Sequence, residues 1–553
     1  MVNRADATSR NAPPRGIGFW LFLVLTAVYL LSYSGVFHAI DELSVAAMTE
    51  TLVKHGGVST NQLLWSQDWT PSQGRVGPDG NLYSKKGIGS ALLGAPFYWL
   101  SLRLPETGSV GSLMLANSVV TALTAWLLYR CILRLGFRPL VAVLTALCFG
   151  LGTMAWPYAP YFFSEPLTSF GLMVAFWGLL AVSQTGRARY AALAGIGLGI
   201  ALLAKVANAI TWPFFLVYAL WAVLRQRGAT PSASVRRLVG LSAAFLIPLA
   251  LSMVALAAYN IARTGYPLDM GYASDETFSN PLWRGLAGYL ASPGKSLFLF
   301  SPILVASIFG IPALLRRDLA AALLTLGVIL AYPLVYAGWF MWWGGWSWGP
   351  RFLVPVLPFL SMFLAPVLDW VLGPSRWWAR AMLLALVLAS ILVQILGVTV
   401  DFNRYLVILY DRGIDSGDAI FRADLNPLLG HWRLLRSGEW DLAWAQDLAA
   451  GVGGQRLFWP LLLLATAIAG WWIAHRLKRR GRWLLAAAGS ILLVLAMLPV
   501  ARLPAQAGEW QAGSQLLTET LSEAALPGDV MIVDMLPYAN HMSLATSLLE
   551  RYK

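Results

Sequence analysis

The chain has 553 residues, of which 58% are hydrophobic and only 12% are charged. This composition excludes an ordinary soluble protein, in which about 25% of residues are charged, and indicates many membrane-spanning segments. The formal net charge of +13 does not point to nucleic acid, because the basic residues are scattered between apolar runs instead of forming one patch. We therefore predict the lipid bilayer as a partner and no nucleic acid.

Apolar runs suited to crossing a bilayer recur along the chain. A helix needs about 20 predominantly apolar residues to span the hydrocarbon core. The predicted spans are 17–37, 109–129, 139–156, 162–183, 189–204, 206–224, 238–260, 296–314, 319–339, 352–371, 381–399, 457–474 and 483–500. The sequence thus predicts an all-α polytopic membrane protein with about thirteen transmembrane helices in the region 17–500.

The run 87–104 decides the side of every later loop, because it is apolar but holds three glycines and Pro96. If it lies in the outer interface, the cytoplasmic segments are 1–16, 130–138, 184–188, 225–237, 315–318, 372–380 and 475–482. These segments hold nearly every arginine-rich stretch, as the positive-inside rule requires. We therefore expect a cytoplasmic N-terminus and a large first outer loop, 38–108, with an amphipathic helix around 43–54 and an interfacial helix after Lys86.

The predicted outer connections are longer and more acidic than the cytoplasmic ones. The loop 261–295 is rich in glycine, proline and aromatic residues, 339–351 holds five tryptophans, and 400–456 is a long polar loop. The tail 501–553 is predicted to form a small extracytoplasmic segment with one amphipathic helix and one strand. This asymmetry indicates that the working face of the protein is the outer one.

Two pairs of charged residues bracket the first outer loop. Asp41 and Glu42 begin it, and Lys85 and Lys86 end its polar part, next to apolar segments where charges are costly unless they serve a function. A carboxylate can accept the proton of an attacking hydroxyl, and cations can bind a departing phosphate. We predict Asp41 as general base with Glu42 orienting substrate or tuning it, and Lys85, Lys86 and Arg351 as phosphate-binding residues.

Further candidates for substrate binding are Tyr83, Glu165, Trp346 and Trp348. Each site candidate also has a purely structural interpretation. Asp41 precedes a predicted helix and could be its N-cap, Glu165 lies in a helix-start pattern, and the two lysines could snorkel. The tryptophans could form an interfacial aromatic belt. The histidines have no metal-binding spacing, so the sequence predicts no dedicated zinc site and does not identify a cofactor. A divalent cation at the acidic pair stays open.

At these residues the chain resembles the GT-C superfamily of integral-membrane glycosyltransferases, which use polyprenyl-phosphate sugars and include protein O-mannosyltransferases and lipid A aminoarabinose transferases. The acidic pair directly after the first span, LYSKKGIGSALLGAPFYWL, FFSEPL and GGWSWGPRFLVPVLPFL carry the resemblance. It implies a GT-C type bundle that transfers a sugar from a polyprenyl-monophosphate donor to an acceptor hydroxyl at the extracytoplasmic face. The implied mechanism is an inverting single displacement with an Asp base, in a bacterial inner membrane.

The chain departs from that family in one motif, since SKKG stands where the mannosyltransferases have a PPxGK type. The sequence therefore does not tell which of Lys85 and Lys86 binds phosphate. Neither the sugar nor the acceptor, which could be a glycolipid, a polysaccharide or a protein, is specified. Alternatives are a flippase-type transporter, an assembly scaffold, and a diphosphate-glycan ligase or polymerase using Arg404, Arg412, His431 and Arg433 of the loop 400–456.

Overall fold

A computed structural model describes residues 16–66, 74–104, 107–226, 230–374, 376–474 and 479–500. The helices of the first half are α1 (Ile17–Leu31), α2 (Ile40–His55), α3 (Ile88–Ser101), α4 (Ser109–Arg134), α5 (Pro139–Gly152), α6 (Ala155–Tyr158), α7 (Ser164–Thr185), α8 (Ala188–Ala204), α9 (Trp212–Leu224) and α10 (Pro231–Thr264). Those of the second half are α11 (Leu282–Ala291), α12 (Leu297–Phe300), α13 (Leu304–Arg317), α14 (Leu319–Tyr336), α15 (Leu357–Met362), α16 (Leu364–Val371), α17 (Trp377–Thr399), α18 (Phe402–Asp411), α19 (Ser416–Ala419), α20 (Pro427–Arg436), α21 (Ala443–Ala449), α22 (Gln455–Ala474) and α23 (Arg479–Val500).

Short elements connect these helices. The 3₁₀ helices are Asn61–Ser66, Val206–Thr211, Arg351–Val356 and Ala423–Leu425, and the antiparallel strands β1 (Gly74–Val76) and β2 (Leu82–Ser84) form a hairpin in the first loop. The predicted helix and strand of the tail 501–553 lie outside the described residues.

The surface of the bundle is suited to lipid. In the described ranges, eight helical segments are long and apolar enough to cross a membrane: Ser109–Arg134, Ser164–Thr185, Val206–Leu224, Pro231–Thr264, Leu319–Tyr336, Arg351–Val371, Trp377–Thr399 and Gln455–Ile473. Their outer faces stay uncovered, as shown by Leu251 of α10, which is 64% exposed, and Leu392 of α17 at 63%. Soluble proteins rarely expose apolar faces of this extent to water. The chain is a multi-pass membrane protein, and the predicted all-α polytopic class is confirmed.

All thirteen predicted spans coincide with helices, but four of them fall on helices that are shorter than a full crossing. Three of these are the apolar helices Ile17–Leu31, Pro139–Gly152 and Ala188–Ala204. The fourth is the predicted span 296–314, which is divided between α12 and α13. That these four segments cross the bilayer stays a prediction.

The ambiguous run 87–104 forms α3, whose 14 residues extend about 21 Å, less than the thickness of a hydrocarbon core. Two glycines let the start of α3 lie directly on the end of α8. A Cβ at Gly87 would come within 2.3 Å of the Leu203 carbonyl oxygen, and one at Gly89 within 2.6 Å of the Ala204 nitrogen. This contact brings the segment that carries Lys86 against the C-terminal end of α8.

Glycines also set the packing of α7 on α8. A Cβ at Gly171 would lie 2.7 Å from the Gly197 carbonyl oxygen, and one at Gly178 would lie 2.7 Å from that of Tyr190. Small residues allow two helix backbones to approach this closely, which is a common basis of helix packing in membranes. The ends of α7 and α8 are therefore held in a defined relation to each other.

The connections gather at two ends of the bundle. The segments 130–138, 184–188, 315–318 and 372–380, together with Asp369, form what we call the basic end. There the Arg134 guanidinium donates to Gln184 Oε1 at 2.8 Å, and Arg138 Nε donates to Asp369 Oδ1 at 2.7 Å. Segments that the positive-inside rule assigned to one side thus meet at one end.

The described parts of the segments 38–108, 261–295, 339–351 and 400–456 meet at the other end, which we call the loop end. Arg75 is bonded to Asp269 at 2.6 Å, and His38 Nε2 lies 2.6 Å from Asp441 Oδ2. These contacts join the first loop to two later ones. The candidate site lies at this end.

Candidate active site

Asp41 is the centre of a charged cluster at the loop end. It lies in the first turn of α2, where the helix dipole favours a carboxylate. Its Oδ1 accepts a hydrogen bond from Lys86 Nζ at 2.6 Å, and its Oδ2 accepts one from Arg351 Nη1 at 2.9 Å. The side chains of Asp41, Lys86 and Arg351 are 18%, 23% and 12% exposed. Three residues predicted from distant parts of the sequence are thus in direct contact.

Glu165 and Lys205 extend this cluster across the ends of α7 and α8. Arg351 Nε lies 3.7 Å from Glu165 Oε1, and Lys205 Nζ lies 3.9 Å from the same oxygen. The order of contacts is therefore Lys86, Asp41, Arg351, Glu165 and Lys205. Three cations face two carboxylates, which leaves one positive charge in excess. That balance suits the binding of an anion.

Aromatic rings frame two of these cations. The Arg351 guanidinium lies 4.8 Å from the centroid of Phe163, and Lys205 Nζ lies 4.1 Å from that of Phe352 and 5.0 Å from that of Tyr336. Such contacts stabilise a partly desolvated cation without neutralising it. The charges of both side chains therefore remain available to a ligand.

The electrostatic environment shifts the pKa values of Asp41 and Lys86. Burial disfavours the charged form of Asp41, but the Lys86 and Arg351 charges outweigh this effect and hold its pKa below the usual range. Burial lowers the pKa of Lys86 to about 8, although the Asp41 carboxylate opposes the change. At neutral pH the carboxylate is ionised, and the lysine titrates just above that pH.

The structure separates the two lysines that the sequence left equivalent. Lys86 contacts Asp41, whereas the Nζ of Lys85 is bonded to Glu276 in the loop after α10. The side chains of Lys85 and Glu276 are 9% and 7% exposed, so this pair is largely shielded from water. Lys86 therefore belongs to the charged cluster, and Lys85 ties the first loop to the loop 261–295.

The backbone around Lys86 is held by the end of α10. The Tyr259 hydroxyl donates to the Lys86 carbonyl at 2.8 Å, and Arg263 Nη1 donates to the Ser84 carbonyl at 3.2 Å. Ser84 ends β2, so the hairpin and α10 together fix the backbone position of Lys86. The position of this lysine is therefore set by tertiary contacts.

Glu42, predicted to orient substrate or tune the base, binds backbone N–H groups with both of its oxygens. Oε2 accepts from His38 at 2.7 Å and from Ala39 at 3.0 Å, and Oε1 accepts from Phe162 at 2.6 Å. The side chain is fully buried, and burial raises the pKa of its carboxyl. Glu42 thereby joins the start of α2 to the segment before α7.

These bonds also correct the alternative in which Asp41 is the N-cap of α2. The N-cap is Ala39, and Asp41 lies inside the helix. Glu42, at the third helical position, reaches back to the backbone N–H of the N-cap, as in a capping box. The capping carboxylate is therefore the neighbour of Asp41, and the Asp41 side chain is directed at the two cations instead.

Of the other three predicted substrate-binding residues, two bond elsewhere and the third is buried. The Tyr83 hydroxyl donates to Asp79 Oδ2 at 2.7 Å, and the Trp346 indole donates to the Phe402 carbonyl at 2.7 Å. Trp348 is 1% exposed. Of the four predicted substrate-binding residues, the structure thus places only Glu165 in the charged cluster. Tyr83, Trp346 and Trp348 contact other parts of the protein.

The loop 400–456 does not present His431 as a reactive centre. His431 is 1% exposed, stacks on Trp348 with ring centroids 4.5 Å apart, and has Nδ1 3.1 Å from the Leu396 carbonyl oxygen. Burial lowers its pKa to about 4. Arg404 lies 3.7 Å from Glu439 and is half exposed. The described contacts of His431 are thus within the protein core, and the ligase alternative stays untested.

Among the described residues there is no group of three or more His, Cys, Asp and Glu side chains that could hold a metal ion. The oxygens of the acidic pair are instead bonded to cations and to backbone N–H groups.

Two cationic residues at the loop end escaped the sequence analysis. Lys205 stands alone between the apolar runs of α8 and α9, and an isolated charge at that position is a recognisable functional signal. Lys295 lies in the loop 261–295 among glycine, serine and proline, and no local pattern distinguishes it. No local pattern distinguishes Glu276, the partner of Lys85, either.

No protein-family model and no curated protein matches the chain. Among solved structures, the chain is similar to ArnT from Cupriavidus metallidurans in the apo state, with 15% identity, a TM-score of 0.46, and coverage of 92% of this chain and 79% of that one. The same protein bound to undecaprenyl phosphate has 14% identity, a TM-score of 0.43, and coverage of 98% and 89%. The oligosaccharyltransferase AglB from Archaeoglobus fulgidus, in complex with an inhibitory peptide and a dolichol-phosphate, has 13% identity, a TM-score of 0.41, and coverage of 73% and 59%.

Proposed function

We propose that this protein is a glycosyltransferase that moves one sugar from a polyprenyl-monophosphate donor to an acceptor hydroxyl at the outer face of a bacterial inner membrane. One observation carries the proposal: the Asp41 carboxylate is bonded to both Lys86 and Arg351. A proton acceptor and two phosphate-binding cations therefore meet at a single point. Transfer from a lipid phosphate to a hydroxyl requires that combination.

The cations act on the leaving group. A sugar phosphodiester carries one negative charge, and the polyprenyl phosphate that leaves it carries up to two. When the bond between the anomeric carbon and the phosphate oxygen breaks, the electron pair stays on that oxygen. Lys86 and Arg351 stabilise the new charge, and each such donor contributes about 3–4 kcal/mol in sites of this kind.

Asp41 acts on the acceptor. Its pKa is held low by Lys86 and Arg351, so it begins the reaction ionised. A donor phosphate bound to those two cations offsets their positive charge, which raises the basicity of Asp41 when a base is needed. The carboxylate then accepts the hydroxyl proton as the acceptor oxygen attacks the anomeric carbon, and single displacement inverts that carbon.

Glu42 and Glu165 support this arrangement without reacting. Glu42 holds the first turn of α2 and thereby the direction of Asp41. Glu165 lies between Arg351 and Lys205 and limits the repulsion between them. In this proposal both residues position charged groups.

The experiment is donor transfer in nanodiscs with a panel of radiolabelled polyprenyl-phosphate sugars and a membrane lipid extract, scoring released polyprenyl phosphate. Asp41→Asn should lower turnover by about 10³-fold, because the amide cannot accept the proton. Its affinity for polyprenyl phosphate should not fall, since a competing carboxylate charge is removed from the cations.

Asp424→Asn is the matched control, because it also removes a carboxylate that pairs with an arginine, Arg422, but in an exposed loop. It should behave as the wild type. If no donor turns over, or if Asp41→Asn matches the control, Asp41 is not a base and the transporter and ligase alternatives gain support.

A further inference from the structure

A buried lysine, Lys295, gathers the tryptophan-rich segment 339–351 around its ammonium group. Lys295 follows α11 and is only 3% exposed. Its Nζ donates to the carbonyl oxygens of Gly345 at 3.0 Å, Ser347 at 2.8 Å and Gly349 at 2.9 Å. An ammonium group has three N–H donors, so each of them has a backbone acceptor.

The described residues around Lys295 supply no counter-charge. Among the described residues, no Asp or Glu oxygen lies within 4.0 Å of its Nζ. Burial and the Arg351 charge lower the pKa of Lys295. Hydrogen bonds from Nζ to three carbonyl oxygens are the kind of contact that stabilises an ammonium group. A cage of backbone carbonyls without a carboxylate resembles the environment that proteins offer to a small monovalent cation.

Glycines shape this cage. Gly345 and Gly349 have φ angles of +71° and +62°, in the left-handed region that side chains rarely adopt. This conformation lets the backbone reverse direction within a few residues, so that the carbonyls of Gly345, Ser347 and Gly349, at every second position, converge on one point. A Cβ at Gly349 would also lie 2.4 Å from the Met154 sulfur.

One oxygen of the cage connects Lys295 to Arg351. The Gly349 carbonyl accepts from Lys295 Nζ at 2.9 Å and also from the backbone N–H of Arg351 at 3.1 Å. Arg351 then begins a 3₁₀ helix and extends its guanidinium to Asp41. The backbone position of Arg351 therefore depends on an oxygen that Lys295 holds.

We propose that Lys295 is a built-in cation that folds the segment 341–351 and thereby positions Arg351 in the charged cluster. Lys295 is a positioning residue, because it reaches the cluster only through the backbone. The first step, folding of the segment, is independent of the proposed glycosyl transfer. The second step, an effect on binding of a lipid phosphate, rests on that proposed function.

The test compares wild type, Lys295→Met and Lys295→Ala in nanodiscs. The main readout is amide hydrogen exchange of peptides covering 341–351, including the Arg351 N–H. Removing the ammonium leaves the Gly345 and Ser347 carbonyls without a donor and the Gly349 carbonyl with the Arg351 N–H alone. We therefore expect exchange to accelerate at least about tenfold in both variants. The affinity for polyprenyl phosphate should fall by a similar factor.

Chemical rescue makes the test specific. Propylammonium supplies the atoms that Lys295→Ala lacks, so it should restore slow exchange and phosphate binding in that variant. It should not do so in Lys295→Met, where the methionine side chain fills the space. Tetramethylammonium, which has no N–H donor, should have no effect on any variant.

Unchanged exchange over 341–351 in Lys295→Met would overturn the proposal, and so would equal recovery of Lys295→Ala in both ammonium salts. The two proposals fail in distinguishable ways. A wild type that neither binds polyprenyl phosphate nor turns over a donor argues against the glycosyltransferase. In that case exchange and its rescue by propylammonium still decide whether Lys295 folds the segment.

Discussion

The two ends of the bundle contain the same kind of ion pair in opposite settings. At the basic end, Arg138 lies 2.7 Å from Asp369, and the two side chains are 51% and 37% exposed. At the loop end, Arg351 lies 2.9 Å from Asp41, and the exposed fractions are 12% and 18%. The contact distances hardly differ, so the difference between the ends lies in access to water.

Water determines what each pair contributes. An exposed pair gains little, because solvent already stabilises both charges. A shielded pair loses that solvation, and the loss is offset only if each charge has several partners. Arg351 accordingly contacts Asp41, Glu165 and two aromatic rings, whereas the described ion pairs of Arg138 involve Asp369 alone. The proposed function gives a reason for clustering charges that are costly to bury, because they would bind a charged ligand.

Removing an arginine from each pair should give the largest contrast. Arg351→Ala should lower donor turnover by about 10²- to 10³-fold, because it removes a donor to the leaving phosphate and leaves Asp41 with one partner. Arg138→Ala should leave turnover unchanged and alter stability by less than about 1 kcal/mol. Turnover and thermal melting of both variants in nanodiscs check this, and equal effects would remove the functional distinction between the two ends.

A second contrast lies within the loop end. Lys86→Ala should weaken polyprenyl phosphate binding by about 10²-fold, because Lys86 is in the charged cluster. Lys85→Ala breaks the pair with Glu276, so it should destabilise the first loop but change phosphate affinity much less. Binding isotherms measure the affinity, and limited proteolysis of the loop measures its stability. A larger affinity loss for Lys85→Ala would reverse the assignment.

The smallest expected effect is a pH dependence of phosphate binding. Only the protonated form of Lys86 attracts phosphate, and its pKa is about 8. Affinity should therefore fall as the pH rises above about 8, by at most about tenfold per pH unit. It should also fall below about pH 6, where the lipid phosphate dianion takes up one proton and loses one negative charge. Titrations from pH 5 to 10 test this, and Lys86→Met should lack the alkaline decline.

Much of the architecture followed from the sequence. The thirteen apolar runs all became helices, and the helices predicted around 43–54 and after Lys86 are α2 and α3. The sorting of loops by their arginines agrees with the contacts at the basic end. Hydrophobic length and charge bias act along the chain, so they can be recognised without knowing which helices touch.

The sequence by itself determined that this is a helical membrane protein with its acidic, aromatic loops at one end, and it singled out Asp41, Lys86 and Arg351 as candidates. Only the tertiary structure decided that these three meet, that Lys85 pairs with Glu276, and that Lys295 holds the segment before Arg351. Local patterns report hydrophobicity and helix ends. The partner of a charge separated from it by 191 or 310 residues depends on how the helices pack, and no local pattern encodes it.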